Sequence, residues 1–183
     1  MKESFMTKLI KSFIVFIFIV MLSGCSLFAV KPKDAVEPKD AVEPKEFKGS
    51  GMSISLTDDF VYGEIDGVQL YVVSQKHIFM GNGESKSLLA SSGYSDLSLS
   101  AYLHLVLSVS QKNAEVLSYA DSITKFTYAY YDATIQGESY SFMIVCMEGE
   151  EKFYTMNFAC YNADINDETK ELFFDWAKTI TVE

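Results

Sequence analysis

The chain is 183 residues long, which gives room for one domain of ordinary size and not two large ones. Apolar residues make up 49% and aromatic residues 14%, enough to build a packed core and to exclude disorder over most of the length. All 15 basic residues are Lys and they face 25 acids, a net charge of -10; an acidic chain without Arg lacks the basic face and guanidinium forks of a nucleic-acid binder and excludes that partner class.

The N-terminus carries the strongest signal. Lys2, Lys8 and Lys11 stand against a single early acid, Glu3, and residues 12–22 (SFIVFIFIVML) are free of charge. A basic start followed by a short apolar core is the layout of a secretory signal. Leu22-Ser23-Gly24-Cys25 follows at once. This tetrapeptide resembles the lipobox of bacterial lipoproteins, L-[AS]-[GA]-C. The resemblance covers residues 1–25. It implies a signal peptide over 1–24, cleavage between Gly24 and Cys25, and a diacylglyceryl group, with an N-acyl chain where the cell adds one, on Cys25. The rival reading is an uncleaved membrane helix, because residues 12–30 hold no charge and are long enough to span a bilayer. Ser23, Gly24 and Ser26 interrupt that stretch. Either reading tethers the chain to the cell membrane and puts residues 31–183 on the extracytoplasmic side. Two or more acyl chains anchor stably where one is marginal.

A spacer comes next. Residues 32–37 read PKDAVE, residues 38–43 repeat it, and a third copy starts at Pro44-Lys45-Glu46. Proline removes amide donors and biases its neighbours toward extended backbone, and the charges between the prolines cannot form a core. The lipidated cysteine and this tether take up residues 25–46. The repeat region reaches about 50 Å if fully extended.

The single globular domain is read as residues 47–183, with 8 Lys against 19 acids, so the acidity belongs to it. Residues 52–56 (MSISL) alternate and predict a first strand. Residues 67–74 (GVQLYVVS) and 76–80 predict further extended chain. Gly81-Asn82-Gly83 reads as a turn closing it. Neither a GxGxxG nor a GxxxxGK[ST] phosphate loop is present. Leu97, Leu99, Tyr102, Leu103, Val106, Leu107 and Val109 recur at three and four, which predicts a helix over 97–112 capped by Ser95 or Asp96.

From residue 125 the period changes to two. Residues 126–133, 138–147 and 152–161 predict three strands, with residues 148–151 (GEE preceded by Glu148) joining the last two as a hairpin. Pairing Met147 with Lys152 puts Met143, Val145, Met147, Tyr154, Met156, Phe158 and Cys160 on one face. Phe142, Ile144, Cys146, Phe153, Thr155 and Asn157 take the other. Both faces are apolar enough to need a cover. One cover is a helix over 167–178, capped by Asp164 or Asn166, with acids in its first turn and Lys178 in its last. Residues 180–182 form a short closing stretch.

This order is strand, extended region, helix, three-strand meander, amphipathic helix ending in ITV. It resembles the PsbP-like fold of photosystem II extrinsic protein P and of small bacterial lipoproteins such as DcrB, in which a sheet is sandwiched between helices. The resemblance covers residues 47–183 and is one of pattern, without a diagnostic motif. It implies an α+β domain with a mostly antiparallel sheet and helices packed on its faces. It implies no catalytic activity, and it carries over no functional residue.

Chemistry is sparse. With Cys25 assigned to lipid, the register places Cys146 and Cys160 on opposite faces about seven residues apart along the strand, Cys160 opposite Ser139. That separation is beyond disulfide reach, so both are expected as buried thiols. His77 and His104 belong to no HExxH, HxH or CxxC arrangement, so no metal is expected. Residues 164–168 (DINDE) mimic the start of a calcium loop, but Thr169 stands where glycine is required and Asp175 where glutamate is; helix capping explains them. Tyr128, Tyr130, Tyr131, Tyr140, Tyr154 and Tyr161 either line a ligand or carbohydrate surface or serve as strand formers with buried rings.

The leading functional reading is a membrane-anchored extracytoplasmic lipoprotein, not an enzyme, whose domain binds a protein partner or an envelope component. It expects an exposed apolar or aromatic patch. A small-molecule receptor expects an enclosed pocket. An envelope hydrolase expects His77 or His104 beside a carboxylate and a hydroxyl or thiol. No cofactor is expected beyond the lipid on Cys25.

Overall fold

The computed structural model describes residues 43–57 and 59–183. Two antiparallel sheets and three α-helices organise them, with a 3-10 turn at Asn162–Asp164. A three-stranded sheet joins β1 (Lys45–Gly49), β2 (Met52–Leu56) and β10 (Thr181–Val182), with β2 central. A seven-stranded sheet contains β3 (Val61–Tyr62), β4 (Leu70–Val73), β5 (Ile78–Ser85), β6 (Leu117–Ala120), β7 (Lys125–Ile135), β8 (Glu138–Glu148) and β9 (Lys152–Tyr161). Its spatial order is β3-β4-β5-β9-β8-β7-β6. The helices are α1 (Lys86–Ser91), α2 (Leu99–Val109) and α3 (Asp167–Lys178).

The meander sets the layers. Met143, Val145, Met147, Tyr154, Met156, Phe158 and Cys160 share the main core with Phe47, Ile54 and Leu56 of the small sheet and Phe173 and Trp176 of α3. The reverse face puts Ile144, Cys146 and Phe153 against Leu99, Tyr102, Leu103 and Val106 of α2. Farther along that reverse face, Phe142, Tyr140 and Ala159 pack with Tyr71, Ile78 and Met80. The domain is therefore α+β, with an antiparallel sheet covered by helices on both faces.

The register corrects one expectation and keeps its consequence. Met147 lies opposite Tyr154, not Lys152, and Cys160 lies opposite Ser141, not Ser139. The cause is a tighter turn: the Gly149 N–H donates to the Lys152 carbonyl at 2.9 Å, leaving only Glu150 and Glu151 in the loop. Strand faces repeat every two residues, so a slip of two leaves every side chain on its expected side.

Gly81-Asn82-Gly83 is not a turn. It lies inside β5, paired with β9 from Ile78 to Ser85. A Cβ on Gly81 would sit 2.4 Å from the Met52 Sδ, so the glycine lets the two sheets approach rather than reversing the chain. The mid-chain helix is also shorter than its periodicity. Ser98, neither Ser95 nor Asp96, caps it by accepting from the Ala101 N–H at 3.2 Å. It stops at Val109, where the Ser110 hydroxyl turns back onto the Val106 carbonyl at 2.6 Å and Gln111 takes φ 55°. β1 takes in Lys45 and Glu46, which composition had given to the spacer.

Helix α3 has the expected bounds. Asn166 caps it, accepting from the Thr169 N–H at 2.8 Å. Asn166→Ala leaves that first-turn donor without its side-chain partner and lowers stability by about 1 kcal/mol. A thermal melt should show a fall of roughly 3–5 °C; an unchanged melting temperature would mean that solvent replaces the cap at no cost.

Candidate functional site

Alternation along β7 turns Phe126, Tyr128 and Tyr130 to the face that carries α3. Tyr119 of β6 joins them from the neighbouring strand and Phe174 from the helix. Ring centroids lie 5.1 Å apart for Tyr119 and Phe174, 5.5 Å for Tyr128 and Phe174, and 6.0 Å for Tyr128 and Tyr130. Tyr119, Tyr128, Tyr130 and Phe174 are half-buried. Ile123, at the tip of the β6–β7 hairpin, is 92% exposed, and Leu117 of β6 is exposed as well.

Charge frames this aromatic rim. The Lys170 Nζ stands 5.8 Å from the Tyr130 ring and the Lys178 Nζ 5.6 Å from that of Phe174. Lys178 also pairs with Asp175. The hairpin turn is held by the Asp121 carboxylate, which accepts from the N–H groups of Thr124 (2.8 Å) and Ile123 (2.7 Å) and from the Tyr119 hydroxyl (2.7 Å). Those bonds, the one from Thr124 first, keep the Asp121 carboxyl below its ordinary pKa. Half-buried rings, phenol hydroxyls and lysines over ring faces suit a surface that is apolar in body and polar at its edges.

The six meander tyrosines do not form one surface. Tyr128 and Tyr130 belong to the rim, while Tyr154 is in the main core. Tyr131, Tyr140 and Tyr161 lie on the reverse face, where Tyr131 stacks on Phe142 at 5.0 Å and Tyr140 on Tyr161 at 5.0 Å.

Under α2 runs a chain of polar groups. The Tyr102 hydroxyl donates to the Glu84 Oε2 at 2.6 Å and lies 3.0 Å from the Thr155 Oγ1, which is 3.8 Å from the Cys146 Sγ. The Tyr102 ring stacks on Phe153 at 4.6 Å. Burial raises the Glu84 pKa, and the bond from Tyr102 draws it partly back. Burial, then the nearby Glu84, lifts the Tyr102 phenol well above its usual range. Burial pushes the Cys146 thiol up to about 12. A thiol so far above neutrality holds its proton and is no nucleophile. The chain joins β5, α2, β9 and β8 as a hydrogen-bonded core network. Thr155 was expected on this face beside Cys146, whereas Glu84 escaped the sequence reading. The alternation of Asn82 and Glu84 opposite Thr155 and Phe153 is the signal that marks it, once β5 is known to continue through its glycines.

The histidines are far apart in role. His77 is buried, its ring edge-on to Phe173 (5.5 Å) and Trp176 (5.4 Å). His104 is exposed on α2. Cys146 and Cys160 are both buried free thiols, on opposite faces as expected, and burial holds Cys160 at about 11. Among the described residues no three His, Cys, Asp or Glu side chains are placed to hold a metal ion. The calcium-loop mimic is capping: Asn166 is the N-cap and Asp167 and Glu168 occupy the first turn of α3.

Recesses of about 410 Å³ beside the β1–β2 turn, about 430 Å³ under the β3–β4 connection and about 340 Å³ at Lys112, Asp132 and Asn162 are open to solvent rather than enclosed. Gly24, Cys25 and residues 31–42 of the proline repeat lie outside the described residues. Among those described, no helix is long and apolar enough to cross a membrane.

No protein-family model matches the chain, and no curated protein matches it in sequence. Solved structures are similar in shape. Cyanobacterial PsbP (CyanoP) from Synechocystis sp. PCC 6803 aligns with a TM-score of 0.52 and 12% identity, over 84% of this chain and 100% of that one. A protein from Bacteroides thetaiotaomicron gives 0.47 and 12%, over 72% of this chain and 45% of that one. LpqN, involved in cell envelope biogenesis of Mycobacterium tuberculosis, gives 0.39 and 11%, over 76% and 91%. The likeness to CyanoP is one of architecture: the described domain has a PsbP-like α+β fold.

Proposed function

We propose that this chain is a lipoprotein held at the extracytoplasmic face of the cell membrane through Cys25, and that its domain is a noncatalytic binding module for a protein of the envelope. The rim of Tyr119, Tyr128, Tyr130 and Phe174 with the projecting Ile123 carries the reading. Rings at this density, left half open beside an exposed isoleucine, are the composition of an interface centre. The LSGC motif supports the anchor, and the 31–46 spacer supports a domain that stands off from the bilayer. Burial and the high thiol pKa values support reading Cys146 and Cys160 as packing residues and not as nucleophiles.

In-cell crosslinking of the full chain tests both parts. Ile123→Asp combined with Lys170→Glu should cut partner adducts about tenfold, since a buried charge at an interface centre costs more than its contacts return. The melting temperature should not move, because both side chains are exposed. Adducts that persist in this variant would remove the rim from the interface. Metabolic labelling with an alkyne-tagged palmitate should mark the full chain and not Cys25→Ser; an unlabelled full chain that stays in the membrane fraction would mean that residues 12–30 act as a membrane helix.

A further inference from the structure

The β6 edge of the large sheet has backbone groups aimed away from the protein. The Asp121 N–H donates to the Thr124 carbonyl at 3.0 Å and closes the β6–β7 hairpin. Hydrogen-bonded pairs alternate along an antiparallel ladder, so Tyr119 opposite Phe126 and Leu117 opposite Tyr128 bond across it. The N–H and C=O groups of Ser118 and Ala120 then point outward, and both residues are exposed. β6 is the last strand in the sheet order.

Natural edge strands are usually blunted by lysine, proline, a bulge or extreme shortness. Leu117-Ser118-Tyr119-Ala120 has no charge and no proline. The opposite edge, β3, is only two residues long, and its Tyr62 hydroxyl is engaged by the Lys48 N–H at 2.9 Å. A domain with 8 Lys and 19 acids repels its own copies over most of its surface. The four residues of β6 add no charge to that repulsion.

We infer that β6 pairs with β6 of a second copy of this chain, antiparallel about a two-fold axis through Tyr119. This register sets Ser118 opposite Ala120 of the partner subunit, so every outward backbone group on both strands finds a partner. Centring the axis on Ser118 instead would set Glu115 opposite Asp121 of the partner subunit, like charge against like. Joining the sheets this way also unites two aromatic rims along one face, which goes beyond the rim's proposed role in binding an envelope protein.

In this register Tyr119 and Tyr119 of the partner subunit form a non-hydrogen-bonded pair, whose Cα atoms lie about 4.5 Å apart. That separation is within disulfide range. Tyr119→Cys in the full chain, expressed in the producing cells and mildly oxidised, should give a disulfide-linked dimer absent from the unsubstituted chain. Cys146 and Cys160 are buried and should not contribute. Adding Ala120→Pro removes an outward donor and leaves the β6–β7 bonds in place, so the dimer should fall about tenfold. Ser118→Lys, which alters no backbone group, should lower it similarly by blunting the edge. Val61→Cys, exposed on the opposite edge, should stay monomeric. No dimer from Tyr119→Cys would overturn the pairing. So would a dimer indifferent to both edge variants, or equal linkage through Val61→Cys.

Discussion

Trp176→Ala should lower the stability of the domain by about 3–5 kcal/mol. Domains of this size hold only about 5–15 kcal/mol in total, so much of the chain would unfold near body temperature. Trp176 is the keystone between three layers. Its ring lies 6.2 Å from Phe158 of the large sheet, 5.9 Å from Phe173 of its own helix, and edge-on at 5.4 Å to Phe60 after the small sheet. Its Nε1–H donates to the Thr57 Oγ1 at 3.0 Å. Removing the indole leaves a cavity between elements that cannot close on it without moving a helix, and cavity cost rises with the volume left unfilled. Urea titration followed by far-ultraviolet circular dichroism is the measurement, since the chain has a single Trp and the variant loses its fluorescence. Trp176→Phe should recover part of the loss. A cost below about 1 kcal/mol would mean that α3 is not fixed by this ring.

Tyr102→Phe should cost about 1–3 kcal/mol at neutral pH, because it strands the Glu84 carboxylate without its donor while leaving the Phe153 stack in place. Its signature is a pH dependence of unusual sign. Burial raises the Glu84 pKa in the folded protein above the ordinary carboxylate value. The folded state then keeps that proton to higher pH than the unfolded chain does. The stabilisation from protonated Glu84 is complete below the unfolded pKa, about 4.3, and is lost as pH rises through the folded value. The Tyr102 bond favours the charged form and softens this loss. Without it the folded pKa climbs further, so the penalty of Tyr102→Phe should be small at pH 4.5 and grow toward pH 8. In a Glu84→Gln background that growth should vanish. A penalty equal at both pH values would show that the phenol stabilises the fold through something other than Glu84.

Periodicity made the long elements legible. β2, β9 and α3 begin and end where alternation, the Gly149 turn and the Asn166 cap put them. The face assignment survived a wrong register, since the error was a full pleat repeat. What failed was punctuation. Gly81 and Gly83 look like a turn in one dimension, and only the Met52 side chain of another sheet explains the first of them. α1, β3 and β6 are two to six residues long, too short for any period to show. Of the rim, Tyr128 and Tyr130 were visible as strand residues, but Tyr119 and Phe174 reach it from elements 40 or more residues apart in sequence. The Glu84–Tyr102 pair is likewise a meeting across strand and helix, with no local spacing to announce it.

The small sheet has a further bearing on how the protein is made. β2 lies between β1, its immediate predecessor, and β10, whose Thr181 meets Ser53 across 128 residues of chain. During synthesis the β1–β2 hairpin is among the first parts of the domain to emerge, yet its second neighbour and its covering helix are among the last. Until then Ile54 and Leu56 have no finished core to enter. Such late closure makes folding slow relative to helical domains of equal size, and it leaves an aggregation-prone hairpin exposed until the C-terminal elements arrive.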